Sequence, residues 1–199
     1  SDKPVWFQGR MAWMLLTLYN TRARRPEWLE WARSGLEFLH RHGTDADGRM
    51  FFLLDRDGRP LRKRRYAYSE AFAAMAYAAH ARAAGADESA ARARQLFAQY
   101  ARWNFTPGLM PPKFTEVRPT IGLAPRMIAI VTTHRMLKAE SKISPAKPVD
   151  VMIRSEDAEV RASLLRIRES TEFVGRMRSL KLLEPGEARL RLTLAHQPS

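Results

Sequence analysis

Arg10 stands directly after Gly9 and between two indoles, Trp6 and Trp13, at the start of an apolar stretch. A guanidinium is planar, permanently charged and rich in donors, so it suits oxygen atoms that carry or develop negative charge. The residue types alone favour a plainer role, with Arg10 packed between Trp6 and Trp13. Gln8 either orients Arg10 or binds a hydroxyl. Tyr68, Ser69 and Glu70 head a later Ala-rich segment. They either hold a polar ligand, or cap that helix while Glu70 pairs with the basic run that ends at Arg65. That run, Arg59, Arg62, Lys63, Arg64 and Arg65, faces a phosphate or simply water. The histidines are His40, His42, His80, His134 and His196, and no two have the spacing of a metal-binding helix, so each reads as structural or solvated. A Gly-rich phosphate loop and a Gly-x-Ser-x-Gly elbow are both missing from the sequence.

The elements that must position these residues are helices. Residues 5 to about 22 are apolar around most of the circumference, which predicts a buried helix. Pro26 fits the first turn of a second helix, and Gly43 its end, with His40, Arg41 and His42 in the last turn. Residues 49–63 change period around Asp57-Gly58, which predicts a small β-hairpin. A third helix is expected from about Ser69 to Ala84, ending at Gly85. A fourth is expected to be capped by Asp87 and to reach Trp103, and a fifth to run from about Gly122 to Leu137. Pro125 is tolerable in the fifth because it falls in the first turn. Residues 32–39 and 93–100 align at a spacing of about sixty residues, a repeat of helical hairpins that points to an α-solenoid or a closed toroid.

At 199 residues with 45% hydrophobic content, the chain can build one domain with a core. It has no long uninterrupted apolar run and no basic-then-apolar leader, so neither a membrane span nor a secretory signal is expected. The absence of Cys excludes disulfides and thiolate metal sites, and the set of features points to the cytoplasm. The formal charge is +13, mostly from scattered Arg, a pattern that compositional drift explains better than nucleic-acid binding.

Three segments carry a resemblance. Val5-Trp6-Phe7-Gln8-Gly9-Arg10 with Trp13 resembles the VW-x-QGR-x-x-W signature of the N-acylglucosamine 2-epimerase family. Asp57-Gly58-Arg59-Pro60 and Arg65-Tyr66-Ala67-Tyr68-Ser69-Glu70-Ala71-Phe72 are similar to that family's next two segments. The resemblance runs from about residue 5 to 137. It implies an all-α fold, a partial (α/α)6 toroid of antiparallel helical hairpins with one small β-hairpin. It also implies a sugar isomerase that inverts carbon 2 by removing and returning a proton through an enediolate. Such chemistry needs proton carriers on both faces and a cation for the oxyanion.

The resemblance makes Arg10 the catalytic cation. It makes Trp6, as a stacking wall, and Gln8, Tyr68, Ser69 and Glu70 the candidate substrate-binding residues. No metal or other cofactor is implied. The implied partner is a sugar, N-acetylglucosamine, N-acetylmannosamine or a relative, with no membrane partner and a homodimer admissible. The family's NPGH segment, which carries a catalytic His, has no counterpart here, and Ala124-Pro125-Arg126-Met127 stands where the family has AVPM. The expectation is therefore a partial toroid over 1–139 and an unmatched segment over 140–199, irregular or frame-shifted. The latter has a helical stretch near 155–168, with Ser155 as N-cap, and a short alternation at 190–194. Without its two proton carriers the chain by itself is expected to be inactive. The alternative is a non-catalytic helical module that binds sugar or protein.

Overall fold

The computed structural model describes residues 1–64, 66–111, 117, 122, 124–144, 147–153, 158–166, 168–169, 172 and 177–183. It divides into two compact units, residues 1–144 and 145–199. No helix among the described residues is long and apolar enough to cross a membrane.

The first unit is built of helical hairpins. Its elements are β1 (Lys3–Pro4), α1 (Val5–Thr21), α2 (Pro26–His42), β2 (Leu53–Leu54), β3 (Pro60–Arg62), α3 (Tyr68–Ala84), α4 (Asp87–Phe105) and α5 (Ala124–Glu140). Pro26 opens α2, where a missing N–H costs nothing. Gly85 ends α3 in the left-handed region, φ 65°, and its N–H returns to the Ala81 carbonyl. Asp87 is the first helical residue of α4 rather than its cap. Ala86 holds the cap position without a side-chain bond, and Asp87 and Glu88 instead lend negative charge to the first turn. Gly43 ends α2 with an ordinary φ of −75°. Glycine is needed there for room, because a Cβ would lie 2.5 Å from the Leu39 carbonyl oxygen.

The composition of α3 explains the packing. Every residue from Ser69 to Ala79 except Phe72 is buried. Alanine at six of those positions keeps the helix slim, so α1, α4 and α5 all pack against it. On the α1 side the approach is tight at Gly9, whose Cβ position lies 3.0 Å from the Ala73 nitrogen. Further along, Asn20 Nδ2 donates to the Ala79 carbonyl at 3.0 Å, so α1 and α3 run in the same direction. Tyr77 Oη donates to the Leu36 carbonyl at 3.1 Å and ties α3 to α2. Parallel inner helices with outer helices returning between them are the (α/α) toroid arrangement, here a partial one.

Two further features differ from the sequence expectation. The sheet has three strands in the order β1-β2-β3, because Lys3 and Pro4 pair antiparallel with Leu54 and Leu53. And α1 is not buried all round. Phe7, Met11 and Met14 are 50%, 55% and 45% exposed. They recur at i, i+4 and i+7, one stripe on the side of α1 turned away from α2 and α3.

The α5 helix carries an unusual titratable group. His134 is buried, and among the described residues neither ring nitrogen has a hydrogen-bond partner. Burial, then the positive charges of Lys138 and Arg135, push its pKa from 6.5 to about 3. The folded chain holds a neutral imidazole, whereas the unfolded chain gains a proton below about pH 6.5. The His134 contribution to stability is therefore complete above that pH. It is lost as pH falls toward about 3, at up to about 1.4 kcal/mol per pH unit. His134→Phe is expected to flatten this part of a plot of urea midpoint against pH.

The second unit contains β4 (Val149–Ile153), α6 (Ala158–Arg166) and β5 (Met177–Leu182). The strands pair in parallel, with α6 as the crossover, the connection that parallel neighbours require. Ser179 Oγ donates to Asp150 Oδ1 at 2.7 Å across the pair. The expected cap Ser155 and the alternation at 190–194 lie outside the described residues.

Candidate functional site

The N-terminal ends of α1 and α3 meet beneath the hairpin that carries β2 and β3. The turn of that hairpin is set by Asp55. Its Oδ1 accepts from the backbone N–H groups of Asp57 at 2.9 Å and Arg59 at 2.8 Å, and Gly58 takes φ 90°. These N–H groups, Arg59 first, hold the Asp55 carboxyl below its usual range. The base of the hairpin is pinned by three bonds. Val5 N–H donates to the Phe52 carbonyl at 3.0 Å, Ser69 Oγ to the Phe51 carbonyl at 3.2 Å, and Met50 N–H to Glu70 Oε1 at 3.1 Å.

Above this base lies a ladder of rings and cations. Trp6 and Arg10 share a face of α1, four residues apart. Both reach Phe72, one turn into α3. The Trp6 and Phe72 rings are 6.1 Å apart, and the Arg10 guanidinium lies 5.3 Å from the Phe72 centroid. Trp6 also stacks on Phe7 at 5.1 Å and meets Phe52 at 6.5 Å, and Arg62 lies over Phe52 at 5.2 Å. Arg10 is thus not sandwiched between Trp6 and Trp13. Trp13 instead receives the guanidinium of Arg135 at 5.6 Å. Arg10 remains exposed, with its charge over a ring face and its donors free to turn toward solvent.

The other sequence candidates divide. Gln8 is half-buried on α1. It lies about 160° around the helix from Arg10, which separates the two side chains. Tyr68 is half-buried and stacks on Tyr66 at 5.1 Å; burial, then Tyr66, raises its phenol pKa. Ser69 and Glu70 face inward. Glu70 is fully buried, and its Oε1 also accepts from Arg49 Nε at 2.8 Å. The ionic partner of Glu70 is therefore Arg49, not the basic run. In that run Lys63 pairs with Asp45 at 3.2 Å, and Arg64 with Asp45 at 2.8 Å and Asp47 at 2.5 Å, while Arg65 lies outside the described residues.

Arg49, Phe52 and Phe72 are the participants that residue patterns did not single out, and Arg62 was named only as part of the basic run. Phe72 stood inside the Tyr68–Phe72 segment and carried a usable signal. Arg49 carried none, because its partner is 21 residues away on another element. None of His40, His42, His80 and His134 joins the ladder, and His196 lies outside the described residues. His80 shares a 2.9 Å hydrogen bond with Ser89 Oγ, and His42 packs against Phe38 at 5.1 Å.

Comparison with known proteins bears on the family and the fold. The family model for N-acylglucosamine 2-epimerase (GlcNAc 2-epimerase) matches residues 1–132. The chain is 32% identical over 148 residues to N-acylglucosamine 2-epimerase from Bos taurus, covering 71% of this chain and 35% of that protein. It is 46% identical over 78 residues to the Mus musculus enzyme of the same name, covering 37% of this chain and 19% of that one. Among solved structures, cellobiose 2-epimerase from Bacillus thermoamylovorans superposes with a TM-score of 0.62 at 16% identity. That match covers 84% of this chain and 44% of that one. The chain thus spans about a third of the length of the bovine relative. With a match over residues 1–132, all of its first unit but the second half of α5 and residues 141–144, the chain belongs to the N-acylglucosamine 2-epimerase family.

Proposed function

We infer that the ladder at the heads of α1 and α3 is the substrate-holding part of a sugar 2-epimerase. The observation that carries this reading is the convergence of Arg10 and Trp6 on Phe72. Aromatic faces pack against the apolar face of a sugar ring, and a guanidinium beside them reaches its oxygens. The substrates proposed are N-acetylglucosamine and N-acetylmannosamine. After ring opening, loss of the proton at carbon 2 gives an enediolate, and Arg10 stabilises the negative oxygen. Return of a proton on the opposite face inverts the centre. Tyr68 supplies a hydroxyl contact at the edge of the wall, while Gln8, on the opposite side of α1 from Trp6 and Arg10, takes no part in it. Ser69 and Glu70 act from beneath it, holding the hairpin base.

Proton transfer needs a group within hydrogen-bond reach of carbon 2. Among the described residues the ladder offers a cation and rings but no imidazole, so in this reading the chain by itself holds sugar without turning it over. Isothermal titration of the full chain with N-acetylmannosamine tests the first half of the reading. Arg10→Met should weaken binding about 10- to 100-fold, the loss of one or two charge-assisted hydrogen bonds. Equal affinity in the variant, or no binding of either sugar by the parent chain, sinks the reading. Proton NMR in deuterated water tests the second half, since exchange at carbon 2 would show a proton carrier in this chain. Binding without exchange also describes the alternative, a non-catalytic sugar-binding module. Exchange restored by adding the remaining portion of a family enzyme separates the two.

A further inference from the structure

We propose that Arg49 and Glu70 are a positioning pair that sets the register of residues 49–52 on α3, and through Phe52 the geometry of the sugar wall. The inference rests on the sugar-holding reading of that wall. Glu70 is 0% exposed and Arg49 4%. One carboxylate oxygen, Oε1, takes both the Arg49 Nε–H at 2.8 Å and the Met50 N–H at 3.1 Å. The guanidinium lies 4.5 Å from the Trp103 ring centroid, so the pair ties the hairpin to α3 and α4 together.

The pair is poorly served for a stabilising device. Among the described residues, Arg49 Nη2 and Glu70 Oε2 are buried without hydrogen-bond partners. Two desolvated ions with an orphan donor and an orphan acceptor give little net stability, and apolar side chains in the same space would serve as well or better. What apolar contact cannot give is direction. Two bonds converging on one oxygen fix both the side chain of residue 49 and the backbone of residue 50. The next two residues are then held in turn. The Phe51 carbonyl receives Ser69 Oγ, and the Phe52 carbonyl receives the Val5 N–H. A segment that slid by one residue on its way into β2 would turn Phe52 away from Trp6, because neighbouring side chains of extended chain point to opposite faces. The ion pair selects one register among several that hydrophobic packing alone would accept.

The test is the double variant Arg49→Met/Glu70→Met in the full chain, with 5-fluorotryptophan incorporated. The Trp6 resonance is assigned by Trp6→Phe. The melting temperature should stay within a few degrees of the parent or rise. N-acetylmannosamine affinity should fall at least tenfold, and the Trp6 fluorine resonance should broaden or split. A purely structural role would move affinity and stability together, so the separation between them carries the proposal. Parent-like affinity with an unchanged Trp6 resonance overturns it, as does an affinity loss matched by loss of the folded fraction. If the parent chain binds no sugar, the sugar reading has failed on its own. The Trp6 resonance then still decides the positioning pair: a second environment supports it, and an unchanged line overturns it.

Discussion

Glu70→Leu on its own is expected to lower the free energy of unfolding by about 3–5 kcal/mol, one of the two largest single effects in the first unit. The variant keeps the Arg49 guanidinium buried against Trp103 and removes the carboxylate that answers it. The Met50 N–H loses its acceptor at the same stroke. An uncompensated buried ion is the most costly of the common lesions, because the protein interior screens it far less than water does. The measurement is a urea titration followed by far-UV circular dichroism. The midpoint should fall with little change in slope, since the surface exposed on unfolding is much the same. The melting temperature should drop by about 10 °C in a unit of this size. Removing both partners should undo most of this loss. A single variant that matched the double one would show that Arg49 finds water in the folded state, and that its burial is less complete than the packing indicates.

Gly9→Val is the second large effect. A Cβ at position 9 would meet the Ala73 nitrogen at 3.0 Å, the Phe72 carbonyl carbon at 3.1 Å and Phe72 Cβ at 3.3 Å. Two of these are backbone atoms of a helix packed on several sides, and they cannot rotate aside. Valine adds two further carbons in the same direction, so α1 and α3 must separate. Overpacking of this kind costs about 1–3 kcal/mol, against which valine recovers only a few tenths in helix propensity over glycine. The functional loss should exceed the stability loss. Gly9 precedes Arg10, and the surface it meets is the backbone of Phe72 and Ala73, so the shift falls between the cation and the ring under it. Sugar affinity of Gly9→Val should drop about tenfold or more in samples verified as folded, with Gly9→Ala between the two. Unchanged affinity in folded Gly9→Val would mean that the spacing of Arg10 and Phe72 is not what holds the ligand.

The helices were legible because their signals are local. Pro26, Gly85 and the apolar spacing of α2 and α4 mark ends and faces without reference to the rest of the chain. The Asp57-Gly58 turn was legible for the same reason, since its geometry is set within four residues. β1 was not legible. Lys3 and Pro4 have no strand character of their own, and become a strand only by pairing with Leu53 and Leu54 some fifty residues on. Composition misjudged α1, because apolar content alone does not say how many neighbours a helix will have. The candidate site followed the same division. Arg10 and the Tyr68–Phe72 segment could be named from the sequence. Their contacts could not: the ring under Arg10 is Phe72, where adjacency in sequence suggested Trp6 and Trp13. The basic run was visible as charge, but its distribution depended on Asp45 and Asp47, which only the closed hairpin brings within reach. Arg49 is the extreme case, an unremarkable residue until Glu70 is folded against it.

The outward stripe of α1 has a chemical consequence. Met11 and Met14 present their thioethers to solvent beside Arg10, whereas Met50 and Met75 are shielded in the interior. Peroxide therefore meets two classes of sulfur in one molecule. The accessible pair turns to sulfoxide first, changing a greasy flank into a polar, chiral one while the core keeps its original chemistry. Oxidative damage to this chain begins on the same helix that carries Arg10.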